Sequence, residues 1–216
     1  MSKLLYVISS PRGEQSESAR IADEFLAAYL DARPGVKVER LNLWEDSLPV
    51  YAGKGAPAKM TVFGGQTPAG EQADAWADVK RVFVPFAQAD EFLFTVPMWN
   101  ASVPWVLKHL IDTITQPGLV FGFDPAAGYS PLLTGKRAVV VYTSGVYSPG
   151  APIQFGTDFH AEFFNDWLRF IGVTDVSEIR FQPTVVTGDV SAAREAALAR
   201  ARRLGAELAD PIRDAA

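Results

Sequence analysis

Four serines follow the first apolar run of the chain, within Ser9-Ser10-Pro11-Arg12-Gly13-Glu14-Gln15-Ser16-Glu17-Ser18. The hydroxyls of Ser10, Ser16 and Ser18, set beside the free N–H groups that begin a helix, can receive one phosphate monoester. The helix dipole adds favourable charge without a required lysine. A second reading stands beside this one, in which Ser16 or Ser18 serves only as a helix cap. The stretch is not the G-x-G-x-x-G by which a dinucleotide fold brings its backbone up to a pyrophosphate. Further chemistry gathers at Pro97-Met98-Trp99-Asn100-Ala101-Ser102-Val103-Pro104. Pro97 cannot donate to a sheet ladder and Pro104 suits the first turn of a helix, so Met98 to Val103 is expected as an exposed loop at the carboxyl end of a strand. Open α/β sheets bind ligands there. Asn100 brings an amide donor and acceptor to that loop, or else acts as a turn residue bonding its own backbone. A comparable loop, Thr143-Ser144-Gly145-Val146-Tyr147-Ser148-Pro149-Gly150, ends a later apolar run.

Other chemistries are disfavoured. With no cysteine there is no disulfide, thiolate nucleophile or zinc–thiolate site, and the chain suits a reducing, cytoplasmic setting. His109 and His160 are the only histidines and lie far apart in sequence, so no metal site is expected. His160 reads as a partly exposed structural histidine. Arg12 reads equally as a phosphate ligand or a surface arginine, and Lys108 with Asp112 as an i, i+4 pair on a solvated helix face. A net charge of -5 gives no reason to approach nucleic acid or an anionic membrane. The start of the chain lacks the long apolar core of a signal peptide, and no stretch approaches a membrane span.

The elements that must position these loops follow from hydrophobic periodicity. Leu4 to Ile8 is a strand-length apolar run. A helix with Ile21, Phe25, Ala28 and Tyr29 on one face follows, then a strand over Val36 to Leu43. From Trp44 to about Gly70 the pattern dissolves into Gly, Pro and Ala, with Tyr51, Met60, Val62 and Phe63 scattered through it. That length suggests a lid or interface loop, with a weakly ordered insertion as the alternative. Trp76, Val79, Phe83 and Phe86 mark the next helix, Phe92 to Val96 the central strand, and Val103, Val106, Leu107, Leu110, Ile111 and Ile114 the helix after it. Residues 117–131 read as a second long loop, with Phe121 and Tyr129 as candidates to line a pocket for flat substrates. Arg137 to Thr143 is a strand, and Phe159, Phe163, Trp167 and Phe170 form a helix face closed by Gly172. Val173 to Phe181 is a last strand, and Ala197, Ala201, Leu204 and Leu208 mark a closing helix. Five strands alternating with helices imply one α/β domain over residues 1–216, built on a doubly wound parallel sheet.

The first serine loop, the Pro97 to Pro104 segment with Leu107-Lys108 and Ile111-Asp112, Gly118-Leu119-Val120-Phe121, Leu133-Thr134-Gly135-Lys136 and Phe170-Ile171-Gly172-Val173-Thr174-Asp175-Val176 together resemble the FMN-dependent NADH azoreductases, also described as NADH:quinone oxidoreductases. The resemblance runs in order through nearly the whole chain. It implies a flavodoxin-like fold with strand order 2-1-3-4-5 and a cytoplasmic homodimer with tightly bound FMN. It also implies ping-pong transfer of two electrons from NADH or NADPH to quinones or azo compounds. The flavin carries the hydride, so no catalytic side chain is implied. Carried over onto this chain, the phosphate falls to Ser10, Ser16, Glu17 and Ser18, the flavin ring to Met98, Trp99, Asn100 and Ala101, and its flank to Thr143, Ser144, Gly145 and Val146. Trp99 stands where the family usually has tyrosine, and Thr143 to Val146 replaces a Ser-Arg-Gly-Gly-like segment. An electron carrier on the same fold with no substrate turnover is the alternative, against which the two long segments argue for a built pocket. A protein on this fold that has lost the cofactor is a third reading.

Overall fold

The computed structural model describes residues 2–50 and 53–208. Its centre is a five-stranded parallel sheet of β1 (Lys3–Ile8), β2 (Lys37–Asn42), β3 (Glu91–Pro97), β6 (Arg137–Thr143) and β7 (Asp175–Phe181), in the order β2-β1-β3-β6-β7. The flanking helices are α1 (Glu17–Ala32), α2 (Gly55–Phe63), α3 (Glu71–Gln88), α4 (Trp105–Ile114), α5 (Ala161–Ile171) and α6 (Val190–Glu207). Between α4 and β6 lies an antiparallel hairpin, β4 (Phe121–Asp124) with β5 (Gly128–Pro131). Counting only the strands of the main sheet, the order is 2-1-3-4-5. Among the described residues no helix is long and apolar enough to cross a membrane.

Alternation along each strand sorts the core into two layers. Leu5, Val7, Phe92, Phe94, Val140 and Tyr142 face α3, α4 and α5. Leu4, Tyr6, Leu93, Val139, Val141 and Ile179 face α1 and α6. Burial on both sides explains why β3 and β6 read as unbroken apolar runs. The α1 and α6 helices meet closely at Gly205, where a β-carbon would sit 2.7 Å from the Phe25 carbonyl oxygen.

Three expectations change. The 44–70 segment is not structureless, because α2 packs on α3 through Ala58, Trp76 and Val79; Tyr51 lies outside the described residues. The 117–131 loop is largely the hairpin. Along α5 the buried stripe is Phe164, Trp167, Leu168 and Ile171, while Phe159 precedes the helix and is exposed. Consecutive phenylalanines at 163 and 164 made the phase of that stripe ambiguous.

The amino-terminal edge of the sheet holds a buried charge cluster. Glu91, at the start of β3, takes 2.6 Å and 2.8 Å contacts from Arg33 and Arg137 and hydrogen bonds from Tyr29 and Ser2. Burial alone would raise its carboxyl, but the donors from Tyr29, Arg137 and Arg33 outweigh that and hold it below the ordinary value. Replacing Glu91 with Ala removes the carboxylate that Arg33 and Arg137 share and is expected to destabilise the fold by about 3–5 kcal/mol. Urea unfolding of Glu91→Ala beside the wild type reads this directly.

Candidate functional site

Parallel pairing brings the carboxyl ends of β1, β3, β6 and β7 to one edge, and their loops meet there. The serine loop comes first. Ser9 is buried and joined to β3 by two bonds that it donates to Thr95, its N–H to the side-chain hydroxyl and its own hydroxyl to the carbonyl. Ser16 caps α1, its hydroxyl accepting from the Ala19 N–H at 3.1 Å and lying 3.1 Å from the Ser18 hydroxyl. Ser10, Ser16 and Ser18 are all buried. The capping reading holds for Ser16, and the same residue borders the cleft at this edge. The Glu17 carboxylate is held by Arg194 of α6 at 2.7–3.1 Å, which neutralises the one acid at this helix start.

The loop after β3 contains a tight turn. Trp99 N–H donates to the Ser102 carbonyl at 2.8 Å and Ser102 N–H returns a bond to Trp99 at 2.9 Å. The central residues, Asn100 and Ala101, have φ of 49° and 66°. This is the geometry of a type I′ turn. Asparagine tolerates the left-handed region, whereas alanine there costs roughly 1–2 kcal/mol. Neighbouring elements hold the turn in place: Met98 N–H donates to the Thr143 carbonyl at 2.7 Å, and Phe159 N–H donates to the Ala101 carbonyl at 3.1 Å. In the loop after β6 the Ser144 hydroxyl donates to the Tyr147 carbonyl, and Thr184 and Val185 donate to the carbonyls of Ser144 and Gly145.

Ser10, Ser16, Glu17, Ser18, Met98, Trp99, Thr143, Ser144 and Gly145 together line one cleft of about 200 Å³. Asn100 lies on the turn above it and borders an adjoining groove. Ala101 and Val146 stand on the loops but not in the cleft wall. Phe121 and Tyr129 lie elsewhere: hairpin pairing turns Phe121 inward against Phe170, leaving it 4% exposed, and sets Tyr129 on the outer surface. Neither lines the cleft or the groove.

Sequence reading missed several participants. Thr184 and Val185 line the cleft from beyond β7, and their position after the fifth strand was the available signal. Trp44 donates its indole N–H to the Ser9 carbonyl at 3.0 Å and packs against Trp99. His160 was expected partly exposed, yet it is fully buried. It sits at the start of α5, where Asp158 accepts from the N–H groups of His160 and Ala161. Its Nε2 lies 2.7 Å from the Val96 carbonyl, which can only accept, so Nε2 carries the proton and Nδ1 is a bare buried acceptor without a partner. Burial pushes the imidazole down to about 4, against smaller opposing effects of the Val96 bond and the Asp158 carboxylate. The segment from Asp158 to His160 thus grips both ends of the turn-bearing loop.

The residues at this edge fit FMN. A cradle of hydroxyls and helix N–H groups, with Arg12 beside it, suits the phosphate, and a turn whose Asn100 and Ala101 N–H groups take no part in its closing bonds suits the polar edge of a flat ring. A family model for the flavodoxin-like fold matches residues 2–204. An FMN-dependent NADH:quinone oxidoreductase of Ruegeria pomeroyi is 49% identical over 201 residues, covering 92% of this chain and 98% of the relative. One from Desulfotalea psychrophila is 41% identical, covering 98% of each. The crystal structure of an azoreductase from Bacillus anthracis superposes with a TM-score of 0.87 at 24% identity, over 96% of this chain and all of the other. At that identity the likeness is one of fold.

The depressed imidazole has a consequence for stability. The unfolded chain protonates His160 below its ordinary value of 6.5 while the folded chain keeps it neutral to about 4. Its contribution is therefore complete above 6.5 and is lost as pH falls toward 4. Stability should fall across that window in the wild type and less steeply in His160→Phe, as measured by urea unfolding at stepped pH.

Proposed function

Because the chain belongs to the flavodoxin-like FMN-dependent NADH:quinone oxidoreductases, we propose that the cleft at the carboxyl edge of the sheet is its FMN site. The chain is an oxidoreductase that uses NADH and reduces quinones. Azo compounds fit as further acceptors, being flat and reducible by the same two electrons. The single observation that carries the site assignment is the convergence of the serine cradle, the Trp99–Ser102 turn and the Thr143–Gly145 loop on one cleft.

When bound, FMN supplies the redox chemistry, taking a hydride from NADH and passing two electrons on. The protein's own part is binding, orientation and exclusion of water. Ser10, Ser18 and the first N–H groups of α1 would hold the phosphate, aided by the helix dipole. Arg194 keeps the Glu17 carboxylate from repelling it. Trp99 presents a flat apolar wall, and N–H groups of the turn and of Gly145 would donate to the polar edge of the ring, favouring its negatively charged form. One mouth, bounded by Trp99 and Asn100, serves nicotinamide and acceptor in alternation, which is the ping-pong order.

A homodimer accompanies this reading. Met60, Phe63, Phe123 and Tyr129 form an exposed apolar surface on α2 and the hairpin, with the Phe63 and Phe123 rings 5.3 Å apart. Such a surface on a chain of this size marks an interface, and a second copy suits it. The single domain and the cysteine-free composition suit the cytoplasm.

Three measurements test these assignments. Protein incubated with FMN and desalted should retain a flavin spectrum that NADH bleaches without air and a quinone restores. Ser18→Asp, which sets a carboxylate against the phosphate, should weaken the FMN titration by at least about 1–3 kcal/mol; an unchanged titration would remove Ser18 from the site. Light scattering should give twice the mass of one chain, and a monomer at working concentration would refute the dimer.

A further inference from the structure

Beside the FMN cleft lies a larger groove, of about 920 Å³, that shares Trp99 with it. Past Trp99 and Asn100 its walls are Val103 and Trp105 at the start of α4, Phe159 and Phe163 from the α5 side, and Val50 opposite. Those five residues present no charge. The charged residues on the rim, Lys108 and Asp112, pair with each other at 2.6 Å and leave it neutral.

The groove is built rather than incidental. Trp44, anchored to the Ser9 carbonyl, stands between Trp99 and Trp105, with ring centres 6.2 Å and 5.7 Å away, so the wall is braced from behind. His109 stacks on Trp105 and its Nε2 lies 2.9 Å from the Pro49 carbonyl, which ties the Val50 side of the groove to α4. A flat ring held over the cleft between Trp99 and Asn100 would direct any substituent along this trough. A charged substituent would lose water there without gaining a partner, whereas an alkyl chain loses nothing and gains burial.

From this continuity we infer that the groove is a subsite for the apolar side chain of the acceptor, so that the favoured substrates are quinones carrying an alkyl or prenyl tail. The inference rests on the quinone oxidoreductase reading above and narrows it to a substrate class. Trp105 is the specificity-determining residue of the subsite. It lines the groove, and it is absent from the FMN cleft.

The test uses the FMN-loaded full chain and two probes with one headgroup, dimethoxy-methyl-benzoquinone and the same ring bearing a decyl chain. Each buried methylene strengthens binding by roughly fourfold, so even partial burial of the chain should favour the decyl compound by at least about tenfold in kcat/KM. The same preference should appear in equilibrium dialysis against oxidised protein without NADH. Trp105→Ala should bring both ratios down toward one, and Trp105→Phe, which keeps a ring on the wall, should retain most of the preference. Retained flavin absorbance after desalting shows that each variant keeps its fold and cradle. Equal binding of the two quinones by the wild type, or an undiminished preference in Trp105→Ala, would overturn the subsite. So would loss of the dimer in Trp105→Ala with the preference intact, which would assign the groove to a second copy. If NADH fails to bleach the bound flavin, the oxidoreductase reading falls on that result, while dialysis still decides the subsite.

Discussion

The site hangs on a turn that its own backbone disfavours. Ala101 is held in the left-handed region, which an alanine in isolation avoids, and the turn persists because five hydrogen bonds from different parts of the chain close on it and its stem. Two run between Trp99 and Ser102, and the others come from Met98 to Thr143, from Phe159 to Ala101 and from His160 to Val96. A strained segment survives only where its surroundings over-determine it. Here the surroundings are the ends of β3 and β6 and the start of α5, so cleft geometry and sheet geometry cannot vary independently. Each central loop is tied to its neighbour in turn: the serine loop to β3 through Ser9 and Thr95, and the β6 loop to the segment beyond β7 through Thr184 and Val185.

Charge is divided between the two edges of the sheet. At the amino edge Glu91 is buried with two arginines and a tyrosine, a cluster that spans α1, β3 and β6 and is costly to break. At the carboxyl edge the cleft is lined mostly by hydroxyls and backbone groups together with the exposed Arg12, and its one carboxylate, Glu17, is held by Arg194. An acidic protein can in this way accept an anionic phosphate with no lysine in the cradle, because oriented N–H groups attract it, with Arg12 as the one cation lining the cleft. The buried imidazole of His160 belongs with this edge. Uncharged at ordinary pH, it acts as a fixed donor to a strand-end carbonyl.

Most of the architecture was legible in the residues. The unbroken apolar runs at 4–8, 92–96 and 137–143, the prolines at 97 and 104 and the helical spacing after them all appear in the structure near their expected bounds. Among the expected site residues, the serines of the first loop, Met98, Trp99 and Thr143 to Gly145 come together in one cleft. The misreadings had specific causes. The α2 helix is short, with Gly and Pro in its first turn, and owes its burial to α3 rather than to a periodic face of its own. Phe121 looked like a loop aromatic because strand pairing within the hairpin, which buries it, is a relation between residues ten apart and leaves no periodic trace. His160 looked exposed because its partner, the Val96 carbonyl, is sixty-four residues away.

The division between these cases follows from the range of the forces. Alternation, helical spacing, proline breaks and a serine at a helix start act between residues a few positions apart, so element types, their order and hence a doubly wound parallel sheet could be read along the chain. Which loops meet at the edge of that sheet depends on strand order and on hydrogen bonds between segments dozens of residues apart. The partnership of Arg194 with Glu17, the grip of Asp158 to His160 on the turn, the bracing of Trp99 by Trp44 and the groove that opens beside it exist only once the sheet has brought distant segments into contact. Local pattern therefore settled the scaffold, and long-range packing decided the shape of the site.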